Sequence, residues 1–177
     1  SEMCIRDRLS PTTQTTNGEK AARKIGTDAC MIRWLGLLCC SLLLVGSLQA
    51  RTFSYQKATV ITQRGVEILV EVSDTPAKRQ QGLSDRPQLK PGWGMLFVFE
   101  RSGRHGFWMK DMNFPIDILW LRNSRVVYVA ENVPPPSSGE TPVTITPDKS
   151  ANLVLELDAG QARALGLAVG STLDYRW

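Results

Sequence analysis

The 177-residue chain carries 21 Lys and Arg against 17 Asp and Glu, a formal net charge of +4. Half of that excess sits in the first fifty residues, and from Arg51 onward 15 basic side chains meet 13 acidic ones; no basic cluster there speaks for nucleic acid. All four cysteines (Cys4, Cys30, Cys39 and Cys40) also precede Arg51, which excludes disulfides, thiolate nucleophiles and cysteine zinc sites from the remainder.

Residues 1–30 are polar, lack apolar periodicity and open with SEMCIRDR, which resembles translated sequencing-adapter read-through. They are expected to be a non-native or disordered leader that contributes nothing to the fold. MIRWLGLLCCSLLLVGSLQA, residues 31–50, places one early cation (Arg33) before an apolar stretch from Trp34 to Val45 and ends on small residues. That is the three-part layout of a secretory signal peptide. The stretch is shorter than the roughly 20 residues a membrane span needs. The expectation is export to the periplasm or exterior with cleavage after Ala50, membrane contact arising only through this segment if it stays uncleaved. Residues 51–177 then form one domain, long enough to bury a core.

In that domain KATVITQRGVEILVEVSD (57–74) reads as a β-hairpin turning at Arg64-Gly65, with Val66, Ile68, Val70 and Val72 at period two and Glu67 and Glu71 on a wet face. Thr75, Pro76 and Gly82 mark the cap, first turn and stop of a short helix. SDRPQLKPGWG is loop, and the wholly apolar MLFVF (95–99) is a central strand. HGFWMK and PIDILWL are expected to pair as a hairpin around DMNF, with RVVYVAE (125–131) as the next strand. A long proline-rich loop from Val133 to Pro147 suggests a lid or partner-binding strip. NLVLEL (152–157) is a strand, DAGQARALG a second short helix capped by Asp158 and stopped by Gly166, and AVGSTLDYRW a last strand. Some seven short strands and two stubby helices predict a mainly β domain, an antiparallel jelly-roll-like β-sandwich or a partly open barrel.

Four ordered segments, QQGLSDRP, GMLFVF, FWMKDMNFPIDILWL and LVLELDAG, resemble the domain of unknown function 192 family of small, often exported prokaryotic proteins. The resemblance spans about residues 58–175. It implies a small, mainly β, jelly-roll-like fold and brings no established activity, substrate or catalytic residue.

The residues themselves offer a site. If the 105–121 hairpin forms, Lys110 lies opposite Asp117 at about 5 Å across the strands, and charges walled in by apolar side chains must be paired. With Trp108, Met95 and Phe97 as an apolar floor, that pair has the anatomy of a small-ligand pocket. Arg79 on the first helix could clamp an anionic ligand, and Glu156, the one charge in LVLEL, either joins the cluster or alternates outward to solvent. Three functions follow in order. The first is a binding domain for a small molecule or envelope partner, needing no cofactor. The second is a hydrolase using Asp117 and Glu156 as acid and base. The third is copper binding through His105, Met109 and Met112, soft ligands of the right type.

Overall fold

A computed structural model of the protein describes residues 53–177. The leader read at 1–30 and the signal segment read at 31–50 lie outside the described residues. In chain order the elements are β1 (Gln56–Thr62), β2 (Glu67–Ser73), α1 (Pro76–Gln81), β3 (Trp93–Gly103), β4 (Phe107–Trp108), β5 (Ile116–Arg122), β6 (Arg125–Val133), β7 (Thr144–Ile145), β8 (Ala151–Asp158), α2 (Gln161–Ala164) and β9 (Leu173–Arg176).

Seven strands form one curled sheet in the order β6-β5-β8-β3-β2-β1-β9, a half-barrel, while β4 and β7 pair separately. The expected mainly β class with two short helices is what the structure shows, in its partly open barrel form. All neighbours in the large sheet run antiparallel except β2 and β3, which are parallel. A parallel pair needs a long crossover, and α1 with the loop after it provides that connection. The two edges meet at one end: Val126 donates to the Ser171 carbonyl at 2.9 Å, and Leu173 to that of Ser124 at 2.8 Å.

The local reasons are those legible in the sequence. Arg64-Gly65 turns the β1–β2 hairpin, with Gly65 at φ 75°; of the period-two set Ile68, Val70 and Val72 are buried, while Val66, just before the strand, is exposed. The Thr75 side chain accepts the N–H of Lys78 at the start of α1, and Gly82 receives the end of the helix at φ 50°. At Gly94 a side chain is impossible: a Cβ there would sit 2.7 Å from the Glu156 carbonyl oxygen and 2.8 Å from Leu157, so β3 and β8 come together only because this position is bare.

The sheet buries both faces. Its interior holds Val60, Ile68, Val70, Leu96, Leu119, Leu121, Leu153, Leu155 and Leu157, plugged by Ala162 of α2 and by Leu167. Its outer face holds Met95, Phe97, Ile116, Ile118, Trp120 and Val154 under a cover of Leu83, Leu89, Met109, Met112 and Phe114. Each such side chain contributes about 1.5–3 kcal/mol when fully buried, and none of that requires a cysteine.

Two expectations are corrected. HGFWMK does not pair with PIDILWL: a strand has two edges, and those of β5 are taken by β6 and β8. The intervening residues instead wrap over the outer face, burying Met109, Met112 and Phe114, while Phe107–Trp108 pairs with Thr144–Ile145 of the proline-rich loop. Lys110 and Asp117 therefore do not meet. The Lys110 side chain is 52% exposed, 3.8 Å from the carboxylate of Asp111 and over the Trp108 ring. Asp117, fully buried, faces the interior, where its Oδ1 accepts the N–H of Asn132 and its Oδ2 that of Ala162, each at 2.8 Å. It does for α2 what Asp158 was expected to do, since that helix begins at Gly160 with no side-chain cap of its own.

Asp117→Ala strands two buried donors and is expected to lower unfolding free energy by roughly 2–4 kcal/mol, whereas Lys110→Met should shift it by less than about 0.5 kcal/mol. The residues share no partner, so the double variant should show the sum. Urea denaturation of the three variants is the check, and a coupling energy above about 1 kcal/mol would reinstate the ion pair.

Candidate functional site

Helix α1 lies across the outer face of the sheet, held by Arg79. One guanidinium nitrogen donates to the carbonyls of Asp74 and Val98, both at 2.8 Å, and the group lies 5.0 Å from the centre of the Phe99 ring. Beyond α1 the chain is stitched to the 109–114 wrap. Asp85 donates its N–H to the Asp111 carbonyl at 2.8 Å, Ser84 Oγ donates to the Lys110 carbonyl at 2.9 Å, and Asn113 Nδ2 donates to the Arg86 carbonyl at 3.0 Å. Asp85 and Asp111 both sit in the left-handed region, at φ 64° and 57°, which aspartate tolerates better than most residues. The two segments form opposite banks of a groove.

Under this roof lies Glu156. Its neighbours across the sheet are Met95 and Ile118, it is 6% exposed, and its Oε2 finds no hydrogen-bond partner among the described residues. Burial pushes its carboxyl up to about 8, opposed but not cancelled by the charge of Arg86. The carboxyl borders a chamber of about 30 Å³ that Gly82, Phe97, Phe107, Trp108 and Met112 also line. Such a space takes a water-sized group and no more. Gly82 is needed in the roof, for a Cβ there would stand 3.3 Å from the Phe97 ring at a positive φ.

A second polar group occupies the same face of the sheet. Arg86 pairs with Glu71 at 2.6 Å and lies 5.3 Å from the centre of the Tyr55 ring. Burial raises the Tyr55 hydroxyl above its ordinary range, with Arg86 pulling the other way. Ser73 Oγ is buried there without a partner among the described residues. Glu71 thus leaves the solvent role expected for it, whereas Glu67 keeps it, exposed beside Arg176.

Trp108, 51% exposed, is the wall shared by three adjoining hollows: the Glu156 chamber, a polar cleft of about 210 Å³ toward Lys110 and Asp111, and a recess of about 400 Å³ toward Arg104 and His105. Phe107 beneath it packs edge-on against both Phe97 and Trp120, at 4.8 and 5.7 Å between ring centres. The β4–β7 pairing and the Met109 N–H, which donates to the Val143 carbonyl at 2.9 Å, hold this aromatic wall in place.

Of the residues singled out in the sequence, Arg79, Trp108, Lys110, Phe97 and Glu156 come together along the groove. Met95 lies beneath, wholly buried, and Asp117 is on the other side of the sheet. That separation removes the hydrolytic pair: Asp117 is in register with Leu157 and Glu156 with Ile118, so the two carboxyls point to opposite faces. Glu156 is enclosed instead of alternating to solvent. The copper set does not share a hollow, either. The His105 ring is stacked on Phe99 at 3.6 Å with Nε2 3.2 Å from the Arg101 carbonyl, Met109 is buried in the outer core, and Met112 lines the Glu156 chamber. Sequence reasoning missed Arg86, Tyr55, Glu71, Ser73 and Phe107.

The profile of the domain of unknown function 192 family, described as an uncharacterized ACR, matches residues 59–175. Two crystal structures are similar to this one. A Sinorhizobium meliloti 1021 protein described as a "putative transcription regulator" is 32% identical, with a TM-score of 0.63 over 71% of this chain and 98% of its own. A protein of unknown function from Novosphingobium aromaticivorans DSM 12444 is 28% identical, with a TM-score of 0.56 over 68% of this chain and 84% of its own. No curated protein matches the chain.

The chemistry of Glu156 gives a pH signature. Its folded-state value of about 8 lies above the ordinary 4.5, so the folded protein holds this proton more tightly than the unfolded chain. The associated stability is fully present below about pH 4.5 and is lost as pH rises through about 8. Glu156→Gln cannot ionise and should lack that part of the decline, gaining on the parent by a few kcal/mol between pH 5 and 9. Denaturant midpoints across that range provide the measurement, and parallel profiles for both proteins would show that Glu156 does not titrate there.

Proposed function

We propose that this chain, which belongs to the domain of unknown function 192 family, is an exported binding domain for a small molecule, with the groove along α1 as its site. The observation that carries the reading is the Glu156 carboxyl, buried without a hydrogen-bond partner among the described residues, at the floor of a hollow walled by a half-exposed tryptophan. An isolated buried carboxyl costs stability and serves no packing purpose that glutamine or leucine would not serve better. Neutral over most of the physiological range, it offers one O–H donor and an acceptor to a guest. A perturbed acid at a concave aromatic site is the usual mark of a place where something binds.

Binding accounts for the site better than turnover does. Among the described residues no histidine and no second carboxyl lines the Glu156 chamber. Export rests on the layout of residues 31–50 and places the partner, a small molecule or one presented by an envelope protein, outside the cytoplasm. The near balance of charge from Arg51 onward argues against nucleic acid as that partner.

Native mass spectrometry of the protein recovered from its own envelope fraction should reveal a small-molecule adduct. Trp108→Ala, which removes the wall, and Glu156→Leu, which fills the floor, should each reduce its occupancy at least tenfold while leaving the circular dichroism spectrum unchanged. Recovery of bare protein, together with no response of groove resonances to a fragment library, would sink the reading.

A further inference from the structure

We infer that the guest of this groove is a small anion bearing a flat apolar group, its acid head held by Arg79 and Arg104 beside His105 and its flat part lying against Trp108. The inference rests on the binding reading above and deepens it from separate residues, those of the recess on the far side of Trp108 from Lys110 and Asp111.

The charge of that recess is one-sided. Arg79, Arg104 and His105 line it, and among the described residues no carboxylate does. Its neighbour toward the other bank is mixed, setting Lys110 against Asp85 and Asp111. A cleft lined by one sign with low-dielectric walls concentrates the opposite sign. The two guanidiniums are also pre-aimed. Arg79 is fixed by the carbonyls of Asp74 and Val98, and Arg104 Nε by the Pro147 carbonyl at 3.2 Å. Each bond engages only part of a five-donor group, so N–H groups remain for a ligand and less freedom is lost on binding. Arginine suits a carboxylate, sulfonate or phosphate because its planar fork matches their geometry.

Size and surface complete the description. At about 400 Å³ the recess falls within the range of small-molecule sites, about 300–1,000 Å³, whereas the Glu156 chamber admits one small polar group. His105 already covers one face of Phe99, which leaves Trp108 as the large ring presented to a guest. A flat apolar body against Trp108 with an acid at the Arg104 end uses both features at once.

The test titrates the isotopically labelled full chain with 2-naphthoate, 2-naphthamide and 2-naphthylmethylammonium, following amide and indole N–H resonances. Naphthoate should bind at least tenfold more tightly than the amide, shift Trp108 and His105, and weaken as salt rises from low to physiological strength. Arg104→Gln, an exposed change that spares the core, should bring naphthoate to within about twofold of the amide. Arg176→Gln, which removes an exposed arginine outside the groove, should leave the preference for the anion intact. Equal or tighter binding of the amide or the ammonium, or naphthoate shifts that map away from Trp108 and His105, would overturn the inference while leaving a binding groove in place. If no probe shifts the groove, the inference also falls, and the adduct experiment alone then decides whether anything binds.

Discussion

Strand β8 has water on neither side, and most of the architecture follows from that. Leu153, Leu155 and Leu157 point into the interior, while Ala151, Val154 and Glu156 point under the outer cover. A strand in this position needs neighbours on both edges, supplied by β3 and β5, and covers on both faces, supplied by α2 within and by α1 with the 109–114 wrap without. Any ionisable group placed on it is shut away from bulk solvent and must either find partners or surrender its charge.

Adjacent strands show two answers to that demand. Asp117, on β5, is satisfied by two backbone N–H groups and ties α2 and the end of β6 to the sheet. Glu156, on β8, receives nothing comparable from the described residues and borders a hollow instead. Both side chains are acids, both are buried, and they stand one residue out of register, yet one fastens the fold and the other lines a hollow. Polar burial by itself does not mark a site; polar burial without a partner, beside open space, does.

The elements were largely legible in the sequence, and their partnerships much less so. Period-two valines fixed the β1–β2 hairpin, and Thr75-Pro76 with Gly82 delimited α1, because these signals act between neighbours in the chain. The pairing of β4 did not follow, since nearest-strand pairing is only the default and nothing local reveals that both edges of β5 are occupied. Glu156 stays open between cluster and solvent in the sequence because LVLEL, taken alone, fits simple alternation. Val154 was the missed clue: it shares the face of Glu156, and a truly wet face would not carry a valine two residues away. Arg79, Trp108, Phe97 and Lys110 were assembled from composition and proximity. Arg86, Glu71 and Tyr55 come from three separate segments that only the fold brings together.

The short ribbon between β4 and β7 has a further implication. Trp108 is set in place by two paired residues of a proline-rich segment nearly forty positions downstream, while the floor it overlooks belongs to the central sheet. Wall and floor are therefore inherited from parts of the chain that can change independently. Substitutions among the prolines could re-aim the indole, and so retune selectivity across relatives, at little cost to the barrel that carries it.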